Sequence, residues 1–274
     1  MAVISVSGMV GSGKTSLVKM LSELLDVPAM MEQVDGNPWL PLYYQDPERY
    51  GFIMQVHMLN NRGRDIKKAA KTRNAILDQD ISADKWAFAL TNSQMPNGMS
   101  EAEYEEYCAL FDNIYLDLNT ISEFTGNNLP DVNIILTTDM DRTRKNIRGR
   151  GREAETFEDG DETDNYFVAL NDNFNEYAEK YDLAPKMVID VTKLDFVNSK
   201  ADKSMVLGAI LEALYTLNLL TEDEAIEAQN KMVEMTTPDI STRVTEDGTY
   251  EITVVDDDLL SEKAIKSGVQ TKSE

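Results

Sequence analysis

Cysteine and histidine each occur once in this 274-residue chain, as Cys108 and His57. A single cysteine excludes an intrachain disulfide and gives no sign of an oxidising compartment. A single histidine excludes a metal site built from several histidines and disfavours a Ser-His-Asp triad.

Basic residues are also scarce: 26 lysines and arginines stand against 49 aspartates and glutamates, for a net charge of −23. Phosphate backbones are bound by lysine and arginine. This balance therefore argues against a nucleic-acid-binding or anionic-membrane-binding surface. It remains compatible with a small anionic ligand held in a local basic pocket.

A long apolar run is absent, since no stretch reaches the roughly eighteen residues of a membrane span. The start of the chain, MAVISVSGMVGSGK, has no basic segment ahead of an apolar one, so we do not expect a signal peptide. The hydrophobic share of 42% is enough for a core. The sequence thus predicts a soluble, cytoplasmic, globular protein.

Short apolar stretches alternate with helical patterns in residues 1–220, which we predict to form the main domain. The predicted strands are 2–7, 29–32, 75–78, 132–137 and 187–190. The predicted helices are 14–25, 47–71, 100–124, 142–147, 164–180 and 203–217. Alternating strands and helices indicate a parallel sheet covered on both faces. We therefore predict an α/β fold with a five-stranded parallel sheet flanked by helices.

Residues 221–274 have a different composition, with 14 acidic residues against 5 basic ones. The stretch TEDEAIEAQNKMVEM predicts a short acidic helix. Polar and apolar residues alternate in STRVTEDGTYEITVVDDD around Asp247-Gly248, which favours a β-hairpin. The last residues, SEKAIKSGVQTKSE, are predicted to be disordered. We expect a C-terminal appendage outside the α/β core.

The stretch GMVGSGKTS, residues 8–16, matches the phosphate-binding pattern G-x-x-x-x-G-K-[ST] between a predicted strand and a predicted helix. Its glycines let backbone N–H groups face a phosphate, and the helix N-terminus adds partial positive charge. Lys14 would reach the terminal phosphates, and Thr15 would ligate Mg²⁺. The predicted nucleotide-binding residues of this loop are Gly8, Gly11, Ser12, Gly13, Lys14, Thr15 and Ser16.

This P-loop alone does not identify the reaction, because kinases, GTPases and ATP-driven motors share it. The GTP-specific pattern N-K-x-D is absent from the expected region, and the chain is short for a motor with a substrate domain. Phosphoryl transfer to a small molecule is therefore favoured.

A more specific pattern occupies residues 31–67, MEQVDGNPWLPLYYQDPERYGFIMQVHMLNNRGRDIK. Together with the P-loop, the strand-3 segment, an arginine-rich segment and a late KLDF, it resembles the deoxyribonucleoside kinase family. Within that family it is most similar to the bacterial deoxyadenosine/deoxyguanosine kinases, over about residues 1–215. The resemblance implies a P-loop NTPase fold with an arginine-rich lid, ATP and Mg²⁺ as cofactors, and a homodimer formed through long helices.

The resemblance also assigns residues around the sugar and the ATP. Glu32 would be the general base that accepts the proton of the sugar 5′-hydroxyl. Tyr44 would bind the 3′-hydroxyl, while Tyr43 would face elsewhere and serve in packing. The stretch VTKLDF would hold the adenine of ATP, with Asp195 and Phe196 as the named contacts.

The same resemblance implies a site that reads the base. Gln55 and Arg62 lie seven residues apart and so share one helix face. With Asp84 they would offer donors and acceptors to a purine edge, and Phe88 would lie against the base. The competing interpretation is a solvated helix face with an ordinary ion pair.

The stretch RKNIRGRGREAE, residues 144–155, resembles the lid of the family. Arg148, Arg150 and Arg152 would close over the phosphates and stabilise the transferring charge. Glu155 would contact the 3′-hydroxyl, and Glu153 is the less favoured register. A plain basic loop is the alternative.

One triplet departs from the family pattern D-R-S or E-R-S at the end of strand 3. Here it reads Asp78-Gln79-Asp80. Asp78 would keep a role in holding Mg²⁺, while Gln79 replaces an arginine that lies near the 5′-oxygen. Asp80 replaces a serine, so we expect the local charge to fall by two units close to the transition state.

Three functions fit these features. The favoured one is ATP-dependent phosphorylation of the 5′-hydroxyl of a deoxynucleoside, preferably a purine and deoxyadenosine first. The second is a nucleotide-binding sensor or interaction protein with weak catalysis, because the arginine is missing. The third is a deoxynucleoside monophosphate kinase, which Asp80 and the missing arginine disfavour because a monophosphate adds about two negative charges.

Overall fold

The structure is a computed structural model that describes residues 2–32, 36–126, 129–151, 156–237, 239–244 and 250–255. It separates into two compact units, Met1–Lys193 and Leu194–Glu274. The predicted boundary after residue 220 lies inside the second unit and stays a prediction.

A five-stranded sheet forms the centre of the first unit. Its strands are β1 Val3–Gly8, β2 Ala29–Met30, β3 Ala75–Asp78, β4 Val132–Thr137 and β5 Lys186–Asp190. Their order is β2-β3-β1-β4-β5, and every neighbouring pair is parallel. The central strands β1, β3 and β4 are buried almost throughout, as expected of strands in a sheet covered on both faces. The predicted parallel sheet is confirmed.

Eight α-helices accompany the sheet in the described part of the first unit. They are α1 Lys14–Leu25, α2 Leu40–Gln45, α3 Pro47–Thr72, α4 Ile81–Ala83, α5 Leu90–Gln94, α6 Glu101–Thr125, α7 Met140–Arg150 and α8 Glu162–Lys180. A π-helical turn, Asp84–Ala89, joins α4 to α5. The short helices α2, α4 and α5 were not predicted, because elements of three to six residues are too brief to show helical periodicity.

Local sequence accounts for the starts of the long helices. Pro47 occupies the first turn of α3, where the side chain of Asp46 caps the backbone N–H of Arg49. Ser100 and Glu103 form the predicted capping box of α6. Both starts agree with the sequence prediction.

Two apolar clusters cover the sheet. One joins the sheet to α3 and α6 through buried side chains that include Leu59, Ile66, Tyr107, Phe111 and Leu118. The other is built largely on α8, with Phe167, Leu170, Phe174 and Tyr177. Since all strands are parallel, their carboxyl ends share one edge, and ligands of open α/β sheets bind at that edge.

The second unit contains α9 Lys200–Thr216, α10 Glu222–Thr236 and an antiparallel pair, β6 Asp239–Val244 and β7 Tyr250–Val255. The helices α9 and α10 pack together: a Cβ placed on Gly208 would lie 3.8 Å from Met232 Sδ. The helix α10 confirms the predicted acidic helix, and β6 and β7 confirm the two strands of the predicted hairpin. The predicted turn at Asp247-Gly248 and the predicted disordered end lie outside the described residues.

None of the helices in the described part of the chain combines the length and the apolar character that a membrane span needs.

Candidate active site

The P-loop connects β1 to α1 at the carboxyl edge of the sheet. Gly11 and Gly13 have φ angles of 86° and 91°, in the left-handed region that favours glycine. At Gly8 a Cβ atom would lie 2.5 Å from Ser12 Oγ and 3.3 Å from the carbonyl oxygen of Leu136, so a side chain there would be crowded. Asn146 of α7 donates to the carbonyl oxygen of Gly11 at 2.8 Å and holds the loop from outside.

Lys14 and Thr15 meet Asp78, the last residue of β3. Lys14 Nζ lies 2.5 Å from Asp78 Oδ1, and Thr15 Oγ1 donates to Asp78 Oδ2 at 3.0 Å. The β1–β3 register, with Val6 opposite Asp78, brings the strand end to the loop. A hydroxyl and a carboxylate at a phosphate loop are a donor set that suits Mg²⁺, which takes few protein ligands and completes its shell with phosphates and water.

Glu32 and Asp84 are bridged by Arg62 of α3. Arg62 Nη2 donates to Glu32 Oε1 at 2.8 Å, and Arg62 Nε lies 2.7 Å from the Asp84 carboxylate. Its third nitrogen, Nη1, donates to the carbonyl oxygen of Asp78 at 3.1 Å. Lys14 Nζ is 3.6 Å from Glu32 Oε2. Glu32 follows β2, which ends two residues earlier, at Met30, and not at residue 32 as predicted.

Burial and neighbouring charges shift the pKa values of Glu32 and Asp84 in opposite directions. Burial would raise the pKa of Glu32, but the cations Arg62 and Lys14 outweigh it and lower that pKa below its ordinary value. Burial dominates at Asp84 and raises its pKa to about 7, although Arg62 opposes the shift. Both carboxylates in turn raise the pKa of Arg62 despite its burial, so the guanidinium stays charged. Glu32 is thus ionised at neutral pH.

A cleft of about 530 Å³ opens next to these groups. Ten of the predicted site residues line it: Gly8, Lys14, Thr15, Glu32, Tyr44, Gln55, Arg62, Asp84, Phe88 and Arg150. Gln55 is 1% exposed, and its Nε2 has no hydrogen-bond partner among the described residues. Phe88 packs edge-to-face on Phe174, with 5.4 Å between ring centroids. The cleft therefore brings phosphate-binding, carboxylate and amide groups together.

One residue of the cleft wall, Tyr43, was assigned to packing from the sequence, and another, Asn92, was not identified from it. Tyr43 was predicted to serve only in packing, but it lines the cleft beside Tyr44, with 5.8 Å between ring centroids. Asn92 also lines the cleft and donates from Nδ2 to the Tyr43 hydroxyl at 3.0 Å. The four-residue spacing of Asp84, Phe88 and Asn92 is a helical pattern that points to Asn92. No sequence signal singles out Tyr43, because it depends on how α2 packs.

The arginine-rich segment is helical through Arg150, beyond its predicted end at residue 147. Arg150 lines the cleft, whereas Arg148 contacts the Asp159 carboxylate and lies over the Phe157 ring, 4.9 Å from its centroid. Arg152 and Glu155 lie outside the described residues, as does the less favoured Glu153.

The remaining predicted residues lie away from the cleft lining. Gly11, Ser12, Gly13 and Ser16 belong to the P-loop and the start of α1. Asp195 and Phe196 belong to the second unit. Their roles in nucleotide binding stay predictions.

Gln79 occupies a strained position behind the cleft. Its φ of 95° is rare for a residue with a side chain and costs about 1–3 kcal/mol. Gln79 Oε1 accepts the N–H of Gly8 at 3.3 Å and so ties β3 to the P-loop. The side chain is buried, and its Nε2 has no partner among the described residues. Gln79 also lines a small cavity of about 30 Å³, together with Glu32, Asp78 and Arg62.

Asp80 does not face the cleft. It caps α4 by accepting the N–H of Ser82 at 2.9 Å and is also hydrogen-bonded by the Ser82 hydroxyl. That hydroxyl meets Tyr177 Oη, which accepts from Asn133 Nδ2, each at 2.9 Å. Burial raises the pKa of Asp80, which is 1% exposed. The expectation that Asp80 adds a negative charge close to the transition state is therefore corrected. Asp80 belongs to a buried polar network and is not among the residues of the cleft wall.

Comparison with known proteins identifies chains that are similar to this one. The family model described as deoxynucleoside kinase matches residues 4–215. A deoxyguanosine kinase of Lactobacillus acidophilus is 36% identical over 223 residues, which are 81% of this chain and 95% of that protein. A deoxyadenosine kinase of the same organism is 35% identical over 216 residues, which are 77% of this chain and 96% of that protein.

Two solved structures of a deoxyadenosine kinase are also similar to this chain. Deoxyadenosine kinase from M. mycoides with bound dATP has a TM-score of 0.63 and 27% sequence identity, over 77% of this chain and 99% of that chain. The same enzyme with the products dCMP and dCDP has a TM-score of 0.62 and 25% identity, over 76% and 98%. The extent of the family match and the identity to these relatives show that the chain belongs to the deoxynucleoside kinase family.

Proposed function

We propose that the protein transfers the γ-phosphoryl group of ATP to the 5′-hydroxyl of a purine deoxynucleoside. The observation that carries the proposal is the position of Glu32, an ionised carboxylate in the cleft, 3.6 Å from the P-loop lysine Lys14. Relatives named deoxyguanosine kinase and deoxyadenosine kinase support the same acceptor class.

Glu32 is the general base of the proposed reaction. It accepts the proton of the 5′-hydroxyl while the oxygen forms a bond to the γ-phosphorus. The bond between that phosphorus and the β–γ bridging oxygen breaks, and ADP leaves with the electron pair. Arg62 orients the Glu32 carboxylate through its 2.8 Å hydrogen bond. The lowered pKa of Glu32 keeps its carboxylate ionised at neutral pH, which is the form that can accept a proton.

The P-loop and the cations around it bind the phosphates. Lys14, which pairs with Asp78 and Glu32 in the free protein, would turn its charge to the transferring group. Arg150 lines the same cleft and would stabilise the phosphates from the side of α7. Thr15 and Asp78 would hold Mg²⁺, which when bound neutralises phosphate charge.

The base would lie between Phe88 and the polar groups of Gln55 and Asp84. The buried Gln55 Nε2 lacks a partner in the described part of the chain, so a base acceptor would satisfy it. Asp84 is held in place by Arg62 Nε at 2.7 Å. Tyr44, which is 41% exposed at the cleft, would bind the sugar 3′-hydroxyl.

The test is transfer of radiolabelled γ-phosphate to the four deoxynucleosides and their monophosphates, with Mg²⁺ present. We expect phosphorylated purine deoxynucleosides and little product from monophosphates. In Glu32→Gln we expect kcat to fall about 10²- to 10⁴-fold with the KM for ATP unchanged. The matched control Glu48→Gln changes an exposed acid at the start of α3 and should leave kcat unchanged.

Two outcomes would reject this proposal in favour of the alternatives. Nucleotide binding by calorimetry without transfer to any acceptor would indicate the sensor, whose rationale is the uncharged Gln79. Faster transfer to monophosphates than to nucleosides would indicate a monophosphate kinase.

A homodimer and a cytoplasmic location complete the proposal. Both rest on membership of the deoxynucleoside kinase family. Analytical ultracentrifugation of the full chain and fractionation of its native cells test them.

A further inference from the structure

Asn92 and Tyr43 form a part of the cleft wall that the proposed reaction does not use. Asn92 follows Asp84 and Phe88 at four-residue steps, and all three line the cleft. Phe88 and Asp84 are the residues proposed to contact the base. Asn92, one turn further along, would therefore lie on the same side of the cleft, next to the base. Tyr43 reaches the same place from α2.

The surroundings of Asn92 fix the orientation of its amide. Nδ2 donates to the Tyr43 hydroxyl at 3.0 Å, and Oδ1 accepts the N–H of Met99 at 2.9 Å. Two glycines make room for it: a Cβ on Gly51 would lie 2.9 Å from Oδ1, and one on Gly98 only 1.6 Å from the Asn92 carbonyl oxygen. A carboxamide has two N–H donors, so one remains after the bond to Tyr43.

The hydroxyl of Tyr43 is also an available donor. Its oxygen accepts a hydrogen bond from Asn92 Nδ2 at 3.0 Å, and Tyr166 of α8 lines the same cleft. Burial raises the pKa of Tyr43, so the phenol keeps its proton. With the oxygen occupied as an acceptor, the proton is the group left to donate.

Among the described residues, the groups of Asn92 and Tyr43 that remain unengaged are therefore donors. They are the second N–H of Asn92 and the hydroxyl of Tyr43, and the buried Nε2 of Gln55 in the same cleft also lacks a partner there. The Asp84 carboxylate in the same wall is held by Arg62 Nε at 2.7 Å. The N7 edge of guanine carries two acceptors, N7 and O6, whereas adenine carries N7 and an amino donor.

We propose that Asn92 and Tyr43 are specificity-determining residues whose donors select the C6 oxygen of guanine, so that deoxyguanosine is preferred over deoxyadenosine. This inference rests on the proposed function and reverses the expectation of deoxyadenosine as the first substrate.

Three nucleosides test the choice of base in the unaltered protein. Deoxyinosine shares the C6 oxygen and N7 with deoxyguanosine but lacks the 2-amino group. We expect deoxyguanosine and deoxyinosine to give similar kcat/KM values, each about tenfold or more above deoxyadenosine, as one or more net hydrogen bonds would give. Calorimetric Kd values without ATP should follow the same order. A deoxyinosine value that equals the deoxyadenosine value, or preference for deoxyadenosine, would overturn the proposal.

Two variants test the residues. Tyr43→Phe removes one hydroxyl, and Asn92→Leu removes the amide; each should lower the ratio of kcat/KM for deoxyguanosine over deoxyadenosine about tenfold. The KM for ATP should not change. Tyr50→Phe is the matched control, because Tyr50 packs near Trp39 and is not part of the cleft lining. Equal losses for both nucleosides in Tyr43→Phe would overturn the assignment, even if Asn92→Leu fails to fold.

The binding measurement separates this proposal from the proposed function. Tighter binding of deoxyguanosine than of deoxyadenosine, without phosphorylation of either, would support the selection of guanine and reject the kinase reaction. Phosphorylation of both nucleosides, with the same ratio of kcat/KM for deoxyguanosine over deoxyadenosine in the variants as in the parent, would support the kinase reaction and reject the selection of guanine.

Discussion

Replacement of Arg62 by methionine should destabilise the first unit strongly. Arg62 is 9% exposed and holds two acids, Glu32 at 2.8 Å and Asp84 at 2.7 Å, as well as the carbonyl oxygen of Asp78 at 3.1 Å. Methionine keeps the apolar stem and removes all three hydrogen bonds. The side chain of Asp84 is 1% exposed, so its carboxylate would be left buried without a cation.

The expected loss is about 3–5 kcal/mol in the free energy of unfolding, the cost of breaking a buried ion pair by removing one partner. A domain has only about 5–15 kcal/mol in total. Glu32 is less buried, with a side chain 21% exposed, and adds less to the loss. Most of the effect should therefore come from Asp84, and Arg62→Met with Asp84→Leu should recover a large part of it.

The assay is urea unfolding followed by tryptophan fluorescence. Both tryptophans of the chain, Trp39 and Trp86, belong to the first unit, so the signal reports that unit. Arg64→Met is the matched control, since Arg64 lies two residues away with its side chain 51% exposed. It should change stability by less than about 0.5 kcal/mol.

The loss should also depend on pH. Burial raises the pKa of Asp84 in the folded protein to about 7, so the ionisation of Asp84 lowers stability progressively between its ordinary pKa and pH 7, and the full cost is present above pH 7. Removing Arg62 removes the main cation that favours the ionised form. The difference in stability between variant and parent should therefore be larger at pH 8 than at pH 6. A loss below about 1 kcal/mol, or no recovery with Asp84→Leu, would refute the reasoning about a buried ion pair.

Three further changes probe the acceptor site, the strand-3 triplet and the C-terminal segment. Gln55→Ala should raise the KM for the deoxynucleoside about tenfold, the size of one buried hydrogen bond, and leave the KM for ATP unchanged; equal effects in steady-state kinetics would remove Gln55 from the acceptor pocket. Gln79→Arg alone should gain little, since it loses the contact with the Gly8 N–H and the adjacent buried carboxylate of Asp80 would pair with the new guanidinium, whereas Gln79→Arg with Asp80→Ser should raise kcat about tenfold or more. Serine is also a good helix cap, so α4 should persist in the double variant. A double variant with a lower kcat than the parent would contradict a role for the family arginine at this position. Truncation after Leu220 removes α10 and the hairpin but no predicted site residue, so calorimetry should show unchanged ATP binding; loss of soluble protein would show that α10, where Ala228 is buried, is needed for folding.

The sequence alone determined the order and type of the long elements. Near-continuous apolar stretches such as Ala75–Asp78 and Val132–Thr137 predict buried parallel strands, and the structure has strands with those same bounds. Glycines at fixed spacing predict a phosphate loop, and Gly11 and Gly13 adopt the left-handed conformations that such a loop needs. These features are local: each depends on the side chains and backbone of a few consecutive residues.

Only the tertiary structure decided which groups meet at the cleft. Arg62 contacts partners 16, 22 and 30 residues away in the chain, so its role as a bridge depends on the packing of α3 against the strand ends. Tyr43 and Asn92, 49 residues apart, meet for the same reason. Asp80, next in sequence to Gln79, turns instead into a buried network with Ser82 because it caps a helix. Sequence periodicity specifies the face on which a side chain lies, whereas the partner on that face depends on how distant elements pack together.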